Sequence, residues 1–143
     1  MAKKEVTKPN TGYANRVNVI MADSDRTLLN IGVMISAKWM QDRIAHGFFS
    51  LDFTGGTVAK RFAEFPVPKS CETMCAICEC VSTVDELCNA IEVGFSKRGW
   101  QAVIIDYIQI ITHADAIPDR LEEIAKKHGK PIICLSMISR VRR

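Results

Sequence analysis

Residues 102–109 read Ala-Val-Ile-Ile-Asp-Tyr-Ile-Gln. The run Val103-Ile104-Ile105 is β-branched throughout and carries no polar side chain, which suits a strand buried on both faces. Asp106 follows directly. An acid at the end of a buried strand is costly unless it holds a metal, an amide or a base. Asp52 ends the apolar run Phe48-Phe49-Ser50-Leu51 in the same way. Spacing leaves two uses open for this pair. Strand-end acids commonly cap the turn that follows. Two of them at one crevice also suffice to hold Mg²⁺ and orient water beside a triphosphate.

Outward from this stretch the chain alternates. Thr83-Val84-Asp85-Glu86 has capping-box spacing, and Val84, Leu87, Cys88, Ile91 and Phe95 then recur on one helical face, with Gly99 as the stop. Downstream, Ile117, Leu121, Ile124 and Ala125 mark a second amphipathic helix. Its acids come early and its bases late, as the helix dipole favours, and Gly129 and Pro131 end it. Ile132-Ile133-Cys134-Leu135 is the last strand. Upstream, Met74 to Cys80 reads as a strand. Gly55-Gly56-Thr57 leads into a short helix closed by Pro66 and Pro68. Val17 to Met21 is the first strand. Asp23-Ser24-Asp25 caps a buried helix from Leu28 to about Ala45, which Gly47 is expected to end. Strand and helix alternating about five times predict an α/β fold, a three-layer α/β/α sandwich with a mostly parallel sheet of about five strands. Ligands of such sheets bind at the carboxyl ends of the strands. Here those ends carry residues 22–26, Asp52, 80–82, 106–109 and 136–140.

The 143 residues suffice for one domain, expected over 16–143 behind a flexible basic arm at 1–15. Apolar residues make up 48% and charged residues 24%, an ordinary globular balance that excludes a disordered chain. No run approaches the roughly 18–20 apolar residues of a membrane span, and no apolar export segment follows Lys3 and Lys4. A cytoplasmic protein without membrane contact is the expectation. The net charge of +3 does not demand nucleic acid. Arg140, Arg142, Arg143 and the early lysines offer at most weak phosphate contacts.

Six cysteines without an export signal read as reduced thiols. Cys71, Cys75, Cys78 and Cys80 fall within ten residues, so a small zinc or thiol protein is one reading of the chain. On a strand from Met74 to Cys80, however, Cys75 would face away from Cys78 and Cys80, which a closed tetrahedral site does not allow. Buried thiols are therefore expected. His46, His113 and His128 stand apart in sequence, and none is read as catalytic.

The segment Ile104-Ile105-Asp106-Tyr107-Ile108-Gln109 resembles the Walker B strand of DnaB-type replicative helicases, an apolar run followed by Asp-Tyr-Leu-Gln. Leu135-Ser136-Met137-Ile138-Ser139-Arg140 is similar to that family's next strand end, Leu-Ser-Gln-Leu-Ser/Asn-Arg. Phe49-Ser50-Leu51-Asp52 resembles Phe-Ser-Leu-Glu, whose Glu polarises the attacking water. Val84-Asp85-Glu86 and Leu121 to Pro131 fall in the matching helices. The resemblance runs in order from about Val17 to Arg140 and implies a RecA-like P-loop NTPase fold. It implies a nucleotide site built from Arg26, Thr27, Asp106, Gln109, Ser136 and Arg140. If the site is active, Asp106 holds Mg²⁺ and Asp52 activates water.

The departures from that pattern point elsewhere. The family's phosphate cradle, Gly-x-x-x-x-Gly-Lys-Thr, wraps phosphates with glycine backbone and reaches them with Lys. The corresponding Ala22-Asp23-Ser24-Asp25-Arg26-Thr27 has neither Gly nor Lys. One carboxylate about 4 Å from a phosphate charge costs about 4 kcal/mol at an effective dielectric near 20. Asp52 is shorter than the catalytic Glu. Met137 stands where the phosphate-sensing Gln belongs. The first expectation is thus a domain with no cofactor and no ATPase activity that binds a helicase or itself, likened to replication control on a phage or mobile element, and a homo-oligomer. The alternative is a divergent ATPase using ATP and Mg²⁺.

Overall fold

The computed structural model describes residues 10–51, 55–65, 69–79, 81–106 and 117–137. Five strands all run the same way: β1 (Val17–Ala22), β2 (His46–Ser50), β3 (Cys75–Cys78), β4 (Ala102–Asp106) and β5 (Ile132–Met137). Four α-helices alternate with them: α1 (Asp25–Gln41), α2 (Gly55–Phe62), α3 (Val84–Lys97) and α4 (Ile117–His128). The sheet order is β1-β5-β4-β2-β3, so β4 is central, as its β-branched run requires.

Alternation along the strands builds a core on each face. Ala102 and Ile104 join Phe48, Ile133 and Leu135 against Leu28, Leu29 and Val33 of α1 and Val58 of α2. Val103 and Ile105 join Phe49, Ile132 and Cys134 against Leu87 and Ile91 of α3 and Leu121 and Ala125 of α4. Burying each large aliphatic side chain contributes about 1.5–3 kcal/mol. This is the expected α/β/α sandwich. α3 starts on the expected capping box, Thr83 with Glu86, and turns out through Gly99 at φ 74°.

Four local expectations are corrected. α1 ends at Gln41, not near Ala45, and the left-handed turn after it falls on Arg43 (φ 59°) rather than on a glycine. The Ile44 amide closes that turn on the Trp39 carbonyl at 2.8 Å. Gly47 is not a helix stop. It lies inside β2, where a Cβ would sit 2.5 Å from the Trp100 ring, so the glycine makes room for an indole brought in from distant sequence. β2 therefore starts at His46 and stops at Ser50, two residues earlier at its start than Phe48. The strand expected over Met74–Cys80 is only Cys75–Cys78. A 3₁₀ turn, Lys69–Met74, takes the residues before it.

Of the arm expected over 1–15, residues 1–9 lie outside the described residues. Within residues 10–15, Thr11 and Tyr13 lie against α1: Trp39 Nε1 donates to the Thr11 carbonyl at 2.9 Å, and Tyr13 meets the Trp39 ring edge-on at 6.2 Å.

Candidate functional site

Register brings the expected residues to one edge. Ser50 pairs with Asp106, Asp106 with Leu135, Met21 with Ser136 and Ala22 with Met137. β2 and β4 therefore end level with Leu135 and Ile20, and β5 and β1 run two residues further, to Met137 and Ala22. β5 stands between β1 and β4, which separates the start of α1 from Asp106 by one intervening strand. Asp106 is fully buried. Its carbonyl accepts the Leu51 amide at 2.6 Å, which carries the chain past Asp106 one residue before Asp52. Ser136 and Met137 are half-buried, and Met137 packs on the α1 side of the sheet. Asp52, Gln109 and Arg140 lie outside the described residues, as does Cys80.

The connection from β1 to α1 is only two residues long, Asp23 and Ser24. Ser24 is extended (φ −144°, ψ 148°) and caps α1. Its Oγ accepts the Thr27 amide at 3.1 Å and donates to Thr27 Oγ1 at 2.8 Å, while its carbonyl accepts the Leu28 amide at 3.1 Å. Thr27 and Arg26 are exposed on the first turn, with Asp23 and Asp25 beside them. The Thr27 amide, one of the first-turn donors that would otherwise attract an anion, thus answers to the Ser24 hydroxyl, while the Leu28 amide makes the first bond of the helix itself.

Cys75 packs toward the α1 core and Cys78 toward the α3 core, as positions three apart on a strand must. Among the described residues, no group of three or more His, Cys, Asp or Glu is placed to hold a metal ion. Cys71 is buried on the 3₁₀ turn. Burial pushes the Cys75 thiol up to about 12 and the Cys134 thiol likewise to about 12, which keeps both as inert thiols near neutral pH.

One polar cluster escaped the reading of the sequence. Ser36 Oγ lies 2.5 Å from His46 Nε2 and 3.4 Å from Cys75 Sγ, and His46 Nδ1 lies 2.8 Å from the Ile44 carbonyl. That carbonyl can only accept, so Nδ1 carries the proton and Nε2 accepts from Ser36. Burial drives the His46 pKa down to about 4, so the ring is neutral. Trp39 covers it edge-on at 5.1 Å. Ser36 and His46 are both fully buried, and the cluster sits at the amino end of β2, away from Asp106. It is a satisfied core network. Its three members come from α1, β2 and β3, which no local motif links.

The architecture is a RecA-like fold, a parallel five-stranded sheet between helical layers. Among solved structures the chain is similar to the ATPase domain of a DnaB-like helicase, with a TM-score of 0.67 at 15% sequence identity. The match covers 90% of this chain and 59% of that one, so the chain spans well under two-thirds of the structure it resembles. No family model matches the sequence, and no curated protein matches it either.

Proposed function

We propose that this chain is a non-hydrolytic DnaB-like domain, a binding or regulatory module of DNA replication, as on a phage or other mobile element. Its partner is a helicase or another copy of itself, and its place is the cytoplasm. One observation carries the reading: Ser24 closes the start of α1 across a two-residue connection. A phosphate cradle needs a longer loop, glycine backbone and free amides. The residues present do not fit that group. The Thr27 amide is spent on the Ser24 hydroxyl, the Thr27 hydroxyl already accepts a bond, and Asp23 and Asp25 repel phosphate. The likeness to a solved ATPase domain supports descent of the fold from nucleotide-binding ancestors, while the closed helix start supports a role that uses surfaces.

A second reading rests on Asp106. A fully buried carboxylate at the end of β4, with Ser136 one residue beyond its β5 partner Leu135, suits a divergent ATPase that holds Mg²⁺ and ATP with Arg26 and Thr27. Equilibrium binding of ATP and ADP to the purified chain, with and without Mg²⁺, separates the two. The module reading expects no binding at millimolar nucleotide. Micromolar, Mg²⁺-dependent binding overturns it, and Asp106→Asn should then abolish turnover while leaving the fold intact.

A further inference from the structure

α3 and α4 pack side by side on one face of the sheet, and they end where β4 and β5 begin. The charges of this pair are segregated. Residues 82–92 and 117–123 carry six acids and one base, Arg120. Residues 93–101 and 124–131 carry five bases and no acid: Lys97, Arg98, Lys126, Lys127 and Lys130. The net charge of +3 conceals this division. The acids are mostly answered within the chain. Asp85 meets Arg120 at 2.6 Å, Glu86 closes the capping box, and Glu122 holds Arg16. Glu92 holds Lys127 at 3.4 Å and His128 at 2.7 Å, which ties the two helix ends together. The bases are answered less. Lys97, Arg98 and Lys126 are exposed and enter no ion pair among the described residues. Helix dipoles favour bases in last turns, which accounts for part of the pattern. At α3, however, Lys130 Nζ already donates to the Phe95 and Trp100 carbonyls, so the dipole is met before Lys97 and Arg98 are counted.

The cations are exposed, but the layer beneath them is fixed. The Arg98 guanidinium lies over the Trp100 ring at 4.8 Å, and Lys130 Nζ over the Phe95 ring at 5.4 Å. Both rings are buried. Like charges held together repel one another, and a partner with many closely spaced anions relieves that repulsion. The phosphodiester backbone of a nucleic acid has that form. Duplex fits better than a single strand. It carries one charge per about 1.7 Å of axis, whereas single-strand binding uses aromatic side chains on which bases stack. Phe95 and Trp100 are the only aromatic rings in residues 93–101 and 124–131 apart from His128, and both face inward. With phosphates as the groups contacted, such a face carries no sequence preference.

We propose that the corner where α3 and α4 end is a sequence-independent docking face for duplex nucleic acid, with Lys97, Arg98, Lys126 and Lys127 on its phosphates. This goes beyond the protein partner proposed above, and it lies at the end of the sheet opposite Asp106. Fluorescence anisotropy tests it on the 143-residue chain with a labelled DNA duplex of about 20 base pairs. Binding at about 50 mM salt should weaken on the order of 100-fold by about 200 mM, the response of about four phosphate contacts. A single strand of the same length should bind more weakly. Lys97→Gln with Lys126→Gln should weaken duplex binding roughly tenfold or more at low salt and lower the salt slope by about two, with unchanged circular dichroism. Lys60→Gln with Lys69→Gln removes the same charge from exposed positions on α2 and the 3₁₀ turn and should change little. No duplex binding at low salt overturns the proposal. So does a single strand that binds as tightly, or a loss that is absent from the first double variant or equal in both, as when net charge or the basic termini carry the binding. Polyglutamate of equal charge competing as well as duplex would also overturn it and assign the corner to an acidic protein. None of these readouts involves ATP, so failure here leaves the nucleotide experiment above untouched.

Discussion

The two ends of the sheet are built differently. At the amino end, polar groups and large rings are locked together. Ser36, His46 and Cys75 bond beneath Trp39, and Trp100 fills the space left by Gly47 and Gly94. Lys130 Nζ donates to the Trp100 carbonyl at 3.1 Å. At the carboxyl end, helices begin on their own side chains, Ser24 at α1 and Thr83 with Glu86 at α3. The amino end is a packed foundation where changes should register in stability. The carboxyl end holds the residues that resemble a nucleotide site, Asp106 and Ser136 at the ends of strands and Arg26 and Thr27 on an exposed helix start, where changes should register in binding.

The largest expected effect tests the foundation. A Cβ at Gly94 would overlap the Trp100 ring, which is buried and meets Phe49 edge-on at 5.8 Å. Gly94→Val should cost about 3 kcal/mol or more, at the upper end of overpacking. Urea unfolding measures it, and a loss under about 1 kcal/mol would mean that this end repacks freely and the contrast fails.

Acid should strike the same end next. The His46 pKa falls from 6.5 to about 4 on folding, through burial. The unfolded chain therefore takes up a proton below pH 6.5 that the folded chain refuses until about 4. Stability from the neutral ring is complete above pH 6.5 and is lost as pH falls toward 4, by on the order of 3 kcal/mol at most. His46→Gln should flatten the curve from pH 6.5 to 5. Carboxylates such as Glu92, held low chiefly by its bond from His128, contribute their loss at lower pH. An unchanged slope in the variant would place the acid response elsewhere.

The same division governs what could be read from sequence. β-branched runs, capping spacings and terminal glycines act within a few residues, and they located β4, α3 and the start of α1. The gap left at Gly47 depends on Trp100, more than fifty residues on, so the glycine looked like a helix stop. Ser36, His46 and Cys75 are polar singles until three elements converge. At the candidate site, Asp106, Ser136, Arg26 and Thr27 were legible because the motif orders them along the chain. That Ser24 closes α1 in only two residues is a matter of backbone path.

The two helix starts can be set against each other directly. Thr83→Ala and Ser24→Ala each remove a cap worth about 1 kcal/mol. Hydrogen bonds from the Ser82 amide and hydroxyl, then from Thr83, hold the Glu86 carboxyl below its ordinary range. Ser82→Ala, which removes the hydroxyl bond, should therefore return the Glu86 titration, followed by NMR, part of the way toward the ordinary value. α1 has no such returning acid, so Ser24→Ala should act on stability alone. If Ser24→Ala proves costless, the cap does not hold the start of α1 closed, and the case against an anion there weakens.

The smallest change in stability carries the sharpest consequence. Asp23→Asn with Asp25→Asn removes two charges from a helix start where the dipole favours them, so each should cost only about 0.3–1 kcal/mol. Its value lies in separating charge from shape. With both charges gone, Arg26 is the remaining formal charge on the turn, and simple repulsion no longer opposes phosphate. If the two-residue connection and the Ser24 cap are what exclude nucleotide, the double variant should still fail to bind ATP at millimolar concentration. Should Mg²⁺-dependent binding appear, the barrier was electrostatic and the backbone path is compatible with a ligand. The carboxyl end would then be a site held shut by two side chains, while the amino end would remain the packed foundation beneath it.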